Sequence, residues 1–242
     1  MSSIADSVEA YVAQQPKLAW RRRILRGVIR TLGFKVLWKM TILGLDNIPA
    51  EGPTLLIMNH ISLLDPILVM GAVTKRFVIP PTKAENLRNP LMAPFIRFWG
   101  TFEIHRGEVD RKALMNSIEL IKSGQLLLVA AEGTRHPEGL TQAKDGLAYI
   151  ATKSNPVIVP VGISGAVGWK EKMFRLRRPH ITLNFGRPFR FKVEGRARIP
   201  REELSAMTTE AMYQIATAIT DESLRGEYRD LSKVTTNYIE FV

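Results

Sequence analysis

The 242-residue sequence contains no cysteine and only four histidines. Without thiols there can be no disulfide, zinc knuckle, iron–sulfur cluster or cysteine nucleophile. A metal centre would have to lean on carboxylates, and no HExxH or His-rich spacing occurs, so no metal is expected. No run of 18 uncharged apolar residues is present either, and a membrane-spanning helix is not expected. The opening MSSIADSVEAYVAQQ has neither a basic n-region nor an apolar h-region. The expectation is therefore no signal peptide and a protein held on the cytoplasmic side.

Acid is missing altogether from residues 17–45, where Lys17, Arg21, Arg22, Arg23, Arg26, Arg30, Lys35 and Lys39 supply eight positive charges. A second stretch, 170–201, carries eleven basic residues against Glu171 and Glu194. The whole chain has a net charge of +11, so outside these two stretches it is net acidic. Concentrated basic charge points to nucleic acid, anionic lipid or anionic small molecules. Nucleic acid is disfavoured, because no helix-turn-helix, RRM or OB pattern accompanies the cations. With 45% apolar and 24% charged residues the composition is that of a folded globular chain, and the length suits one large domain.

Residues 1–16 are polar and read as a mobile or weakly helical tail. From Pro16 to about Leu45, the apolar residues Leu18, Leu25, Val28, Ile29, Leu32, Val36 and Leu37 recur at helical spacing, with Trp20, Phe34 and Trp38 interspersed. Gly27 and Gly33 are candidate breaks. A helix with Lys/Arg on one side and Trp/Leu on the other lies well in a lipid headgroup layer. A helix packed on the core with a solvated basic face has the same pattern, but such a face normally mixes signs. Residues 1–45 are accordingly expected to be a basic amphipathic helical segment at the membrane interface, and residues 46–242 an α/β domain.

Beyond it strand and helix patterns alternate. Strands are predicted at Thr54–Met58, Thr101–Ile104, Gln125–Ala130, Val157–Ile163 and His180–Phe185, and Phe77–Ile79 is a short apolar stretch. Helices are predicted at Pro66–Val73, Asn89–Trp99, Val109–Lys122, Asp145–Lys153 and Glu202–Glu222. This is the pattern of an α/β fold with a mixed, partly parallel sheet flanked by helices.

Three blocks could carry chemistry. Asn59-His60-Ile61-Ser62-Leu63-Leu64-Asp65-Pro66 follows a buried strand directly, at the strand end where α/β proteins place their sites. On a regular helix His60 and Asp65 would stand about 140° apart, so they can meet only across a turn. Ser62, Asp65 and Pro66 favour such a turn before a helix. An aspartate accepting from one imidazole nitrogen would leave the other as a general base. The same residues also describe a His in a turn and a helix-capping Asp. The second block, Glu132-Gly133-Thr134-Arg135, follows another apolar strand. It offers a small-residue turn, a hydroxyl and a guanidinium suited to phosphate, though an ordinary strand-to-loop turn with a surface Arg would read alike. The third is Gly100-Thr101-Phe102-Glu103-Ile104-His105-Arg106, a strand ending in Arg. Lys83 and Lys144 are further cations without a local signature.

In this order, joined by the lead-in Gly44-Leu45-Asp46-Asn47-Ile48-Pro49 and by Val159-Pro160-Val161-Gly162-Ile163, the blocks resemble the glycerol-phosphate and lysophosphatidate acyltransferase family. The resemblance runs from Gly44 to Ile163, and the closing Leu224-Arg225-Gly226-Glu227-Tyr228 is weakly similar to that family's tail. It implies that His60 is the general base, oriented by Asp65, and that no covalent enzyme intermediate forms. It further implies that Arg106, Glu132, Gly133, Thr134 and Arg135, with Lys83, hold the acceptor phosphate or shape its site. Glu132 cannot itself attract phosphate, and would position Arg106, Arg135 or a backbone turn. The donor would be acyl-CoA or acyl-carrier protein, acting as co-substrate with no other cofactor. The acceptor would be lysophosphatidate, giving phosphatidate; glycerol 3-phosphate, another lysophospholipid or a glycolipid are alternatives, as is a non-catalytic binder of anionic lipid. The protein would sit peripherally on an anionic membrane surface. Two departures touch acceptor and acyl-chain preference: Ala130-Ala131 and His136 stand where Phe-Pro and Ser usually flank the EGTR block, and Phe102-Glu103 where two apolar residues are usual. His105 and His136 read as surface or supporting residues.

Overall fold

Ser7, in extended conformation, accepts the N–H of Ala10 on its hydroxyl at 3.2 Å and so starts helix α1, Val8–Val28. The chain is seen here in a computed structural model that describes residues 7–83, 87–88, 90, 92–104, 109–143, 146–193, 195–196 and 198–242. The expected polar tail is thus largely the first two turns of α1, with Pro16 inside the helix. Tertiary contact overrides the proline: Val8 and Tyr11 are buried, and the Tyr11 hydroxyl donates to the Gly100 carbonyl at 2.6 Å.

Gly27 and Gly33 do not break the segment. The helix instead widens into π winding over Ile29–Leu37, closed by the Trp38 N–H donating five residues back to the Gly33 carbonyl at 2.8 Å. Gly33 is required there, since a Cβ would meet the Trp38 ring at 2.6 Å. Beyond Trp38 the expected helix is replaced by strand β1, Lys39–Leu43. The deciding partner is remote: β1 pairs in parallel with β8, His180–Phe185.

The direction of the cations also differs from expectation. Arg22 is buried, donating from Nε to the Trp99 carbonyl at 2.8 Å and from Nη2 to that of Gly100 at 2.9 Å. Arg26 donates to the carbonyls of Val73, Thr74 and Arg76, and Arg30 to that of Gly71. One turn apart, these three arginines close the carboxyl ends of α2 (Asp65–Ala72) and α3 (Ala93–Trp99). They serve the fold and are not a lipid-facing row.

The main sheet has the order β1-β8-β7-β2-β6-β3, where β2 is Thr54–Met58, β3 Val78–Ile79, β6 Leu126–Ala130 and β7 Val157–Ser164. β2, β3, β6 and β7 run parallel, whereas β8 is antiparallel to β7. β9, Phe189–Phe191, pairs with the start of β7 and with β10, Ile239–Phe241, both antiparallel. β4 (Pro81–Lys83) and β5 (Phe102–Ile104) form a separate parallel pair. α4 (Val109–Lys122), α5 (Gly146–Ser154) and α7 (Arg201–Ala218) supply covering layers, and short α6, Trp169–Phe174, follows β7. All five residues of β2 are buried, as a central parallel strand covered on both faces requires. No helix among the described residues is long and apolar enough to cross a membrane.

Candidate active site

Parallel register sets Met58 beside both Ala130 and Val161. The residues that follow β2 and β6 therefore emerge side by side, at the edge where open α/β sheets hold ligands. Asn59 prolongs the ladder with its side chain: Nδ2 donates to the Ile163 carbonyl at 2.9 Å, and Oδ1 accepts the Ile163 N–H at 2.8 Å. The chain then turns. The Asp65 N–H donates to the Ser62 carbonyl, and Asp65 and Pro66 open α2.

The turn brings the first block's two key side chains together. His60 Nδ1 lies 2.9 Å from Asp65 Oδ2, and that oxygen also accepts the N–H groups of Ile61 and Ser62 at 2.7 Å each. The three donors converge on one carboxylate oxygen, which fixes the imidazole's rotation. With Nδ1–H given to Asp65, the lone pair resides on Nε2. The ring is 17% exposed and the aspartate 0%, so substrate can reach the base but not its orienting partner. Burial pushes the Asp65 carboxyl above its usual range, opposed by the contacts from His60, Ser62 and Ile61. Oδ1 is buried without a hydrogen-bond partner among the described residues, in keeping with that direction.

Glu132 comes from the neighbouring strand end and is buried. Its Oε2 accepts the His60 N–H at 3.1 Å, while Oε1 accepts the Thr141 N–H at 2.9 Å. The His60 carbonyl in turn accepts the His136 N–H at 2.7 Å. His60 is thus gripped at both backbone polar groups by the 131–136 loop. Desolvation raises the Glu132 carboxyl's affinity for its proton, countered by the Thr141 and His60 N–H groups and by His136. Glu132 was expected to position Arg106, Arg135 or a backbone turn; its two oxygens are committed to the backbone donors of His60 and Thr141, which ties the 59–65 turn to the loop after β6.

Gly133 makes the turn at φ 72°, its N–H donating to the Ala130 carbonyl at 3.0 Å, and Thr134 and Arg135 are exposed beyond it. Lys83 ends β4 opposite Ile104, two residues before Arg106. The Lys83 side chain and the whole of Arg106 and Lys144 lie outside the described residues. Among the described residues no three histidine or carboxylate side chains gather as a metal site.

Sequence reasoning gave no role to Asn59, although a polar residue immediately after an all-buried strand is a signal. It also missed Thr141 and the work of the tail. Residues 224–227 bracket the loop after the EGTR block: the Leu140 N–H donates to the Leu224 carbonyl, and the Glu227 N–H to that of Leu140, both at 3.0 Å. Tyr228 stacks edge-on against Tyr213; burial, with Glu227, Tyr213 and Glu132, pushes its phenol up to about 12.

A protein-family model described as Acyltransferase matches residues 39–164, half of the chain. The sequence is 28% identical over 126 residues to a 1-acyl-sn-glycerol-3-phosphate acyltransferase of Borreliella burgdorferi, covering 51% of this chain and 50% of that protein. It is 24% identical over 169 residues to the Bacillus subtilis protein of the same name, covering 70% and 82%. The chain thus spans about half the length of the Borreliella relative. The crystal structure of the 1-acyl-sn-glycerophosphate (LPA) acyltransferase from Thermotoga maritima has the same fold, with a TM-score of 0.63 at 22% identity over 85% of this chain and 81% of that one. With the family's match spanning β1 to β7 and both gripping loops, this chain belongs to the acyltransferase family.

Proposed function

We propose that the protein transfers a fatty acyl group from an acyl thioester to the hydroxyl of lysophosphatidate, giving phosphatidate. The observation that carries this is the His60–Asp65 pair, bonded at 2.9 Å with the imidazole partly exposed. Nε2 takes the acceptor hydroxyl's proton as its oxygen attacks the thioester carbonyl, and Asp65 stabilises the imidazolium that forms. The tetrahedral intermediate collapses, the carbon–sulfur bond breaks, and the imidazolium returns its proton to the leaving thiolate. Ester and free thiol result, and His60 is ready again. Arg135 at the rim, with Lys83 and Arg106, supplies positive charge for the acceptor phosphate. The donor, acyl-CoA or acyl-carrier protein, is anionic in either form and suits a basic chain.

The acceptor's acyl tail resides in a bilayer, so the site works against a lipid surface. Trp20, Ile24, Val28, Leu32 and Val36 are each about half exposed, at steps of four residues. In α winding, with about 3.6 residues per turn, four residues overshoot a turn. In the wider π winding they fall short of one, so the drift reverses at Ile29 and the stripe stays on one side. This row, with exposed Lys17, Arg23 and Lys35 beside it, supports peripheral binding to anionic lipid.

Mass spectrometry after incubation with an acyl-CoA and a panel of acceptors tests the assignment, with phosphatidate the expected product. His60→Ala is expected to lower kcat by about 10²–10⁴ with the fold intact. Full transfer by that variant would refute the base; product only from another acceptor would move the substrate.

A further inference from the structure

Two of the most exposed apolar side chains of the described residues stand where the fold has no use for them. Phe174 is 88% and Leu176 95% solvent-exposed, at and just beyond the end of α6. The helix closes with the Arg177 N–H donating to the Lys172 carbonyl at 2.8 Å and the Leu176 N–H to that of Met173 at 2.9 Å. This pair of bonds is a Schellman closure, in which the left-handed residue is usually glycine. Here it is Leu176, with φ 54°. The apolar contact that commonly completes such a closure falls to Arg177 and is lost. A bulky residue in left-handed backbone with its side chain in water stabilises nothing within the chain.

The surroundings point outward too. Lys170, Lys172, Arg175 and Arg177 are exposed around the two side chains, with Glu171 the one acid. Arg178 donates from Nη2 to the carbonyls of Lys35 and Trp38, both at 2.8 Å, which places this tip beside the end of the apolar stripe at Val36. The tip also follows the carboxyl end of β7, the end at which Ile163 pairs with Asn59 next to His60.

We propose that the α6 tip is a second insertion point into an anionic lipid surface, with Phe174 and Leu176 entering the acyl region and the four cations meeting phosphates. A protruding apolar pair ringed by cations, on convex backbone, fits a deformable anionic layer; a protein partner would need a matching pocket. The inference deepens the reading of an enzyme working at the bilayer and rests on it. Two contacts fix an orientation where one helix leaves rotation about its axis free, and here they turn the His60 end of the sheet toward the lipid.

The absence of native cysteine makes the test direct. Leu176→Cys carrying an environment-sensitive fluorophore is titrated with phosphatidylglycerol/phosphatidylcholine vesicles, with pure phosphatidylcholine vesicles and with an acyl-carrier protein. Ser123→Cys, in the turn at the amino end of β6, reports the opposite end of the sheet. A blue shift at position 176 and none at 123, with anionic vesicles, is expected. Leu176→Gly should lower vesicle partition about tenfold while leaving the melting temperature unchanged or higher, since glycine prefers this backbone. A shift at 176 with the carrier protein but not with vesicles overturns the proposal, as does partition unaffected by Leu176→Gly. Transfer to a short-chain, water-soluble lysophosphatidate is measured alongside. Its absence in the unmodified protein would count against the enzymatic reading alone, whereas its persistence in a Leu176→Gly protein that still partitions fully would count against the tip alone.

Discussion

At the residue scale, Glu132 has two oxygens and two backbone donors, one from each flanking loop. Glu132→Gln keeps the shape but turns one acceptor into a donor, leaving either the His60 or the Thr141 N–H opposed by another N–H. The expected cost is about 1–3 kcal/mol of stability. Because one of those groups belongs to His60, kcat should fall more than KM rises, and steady-state kinetics with denaturant melts check both. Burial raises the Glu132 carboxyl above its unfolded value of about 4.3, so the folded state binds this proton more tightly. This contribution to stability is complete below the unfolded value and is lost as pH rises through the folded one. The stability advantage of the unmodified protein over Glu132→Gln should therefore shrink as pH rises through that window, in urea melts at stepped pH.

The residues of the site were largely legible because two strand ends announced them. Their linkage was not. That Glu132 would serve His60 depends on the Met58–Ala130 register, which no local pattern contains. The arginines show the same limit from the other side: charge and spacing reveal a row, but not that Arg22, Arg26 and Arg30 find their partners in helix ends some 40–80 residues away.

At the scale of elements, the bounds of α4 and β8 agree with the sequence reading to the residue, since amphipathic period and strict alternation are self-contained signals. β1 was missed for want of such a signal: five residues cannot separate the two periods, and β8 is the partner that selects the strand. The tail element 222–228 matters for the site because it holds Leu140, whose neighbour Thr141 donates to Glu132. Gly226 allows this with φ 48° and ψ −123°, lying against the Leu140 backbone so closely that any Cβ would collide with it. Gly226→Ala should cost about 1–3 kcal/mol and displace the loop. A lowered melting temperature accompanied by reduced kcat is the expected result, although residue 226 lies far from His60 in sequence.

At the scale of the whole molecule, the +11 charge divides into cations consumed by the fold and cations left at the surface. Raising salt should weaken binding to anionic vesicles while leaving thermal stability nearly unchanged, since Arg22, Arg26 and Arg30 bond to carbonyls and not to counter-charges. Replacing Ile24, Leu32 and Val36 together with serine removes half-exposed apolar area and leaves the inward arginines in place. Sedimentation with anionic vesicles should fall at least about tenfold, with melting temperature little altered. Truncating the segment would be a poorer experiment, because Tyr11, Arg22 and Ile29 are buried parts of the core.

The π-wound stretch has a consequence for how the sequence tolerates change in length. Deleting one residue between Ile29 and Leu37 would let ordinary α winding resume, and because the tighter winding makes up most of the lost step, everything upstream would turn by only about 60° relative to the sheet. Trp20 and Ile24 would stay within about 60° of Val36 around the helix axis, since seven α steps of about 100° from Val28 to Val36 come to nearly two whole turns. A single lost codon in that stretch would thus be largely taken up by the change of winding, where one lost within Val8–Val28 would turn everything upstream of it by a full step of about 100°.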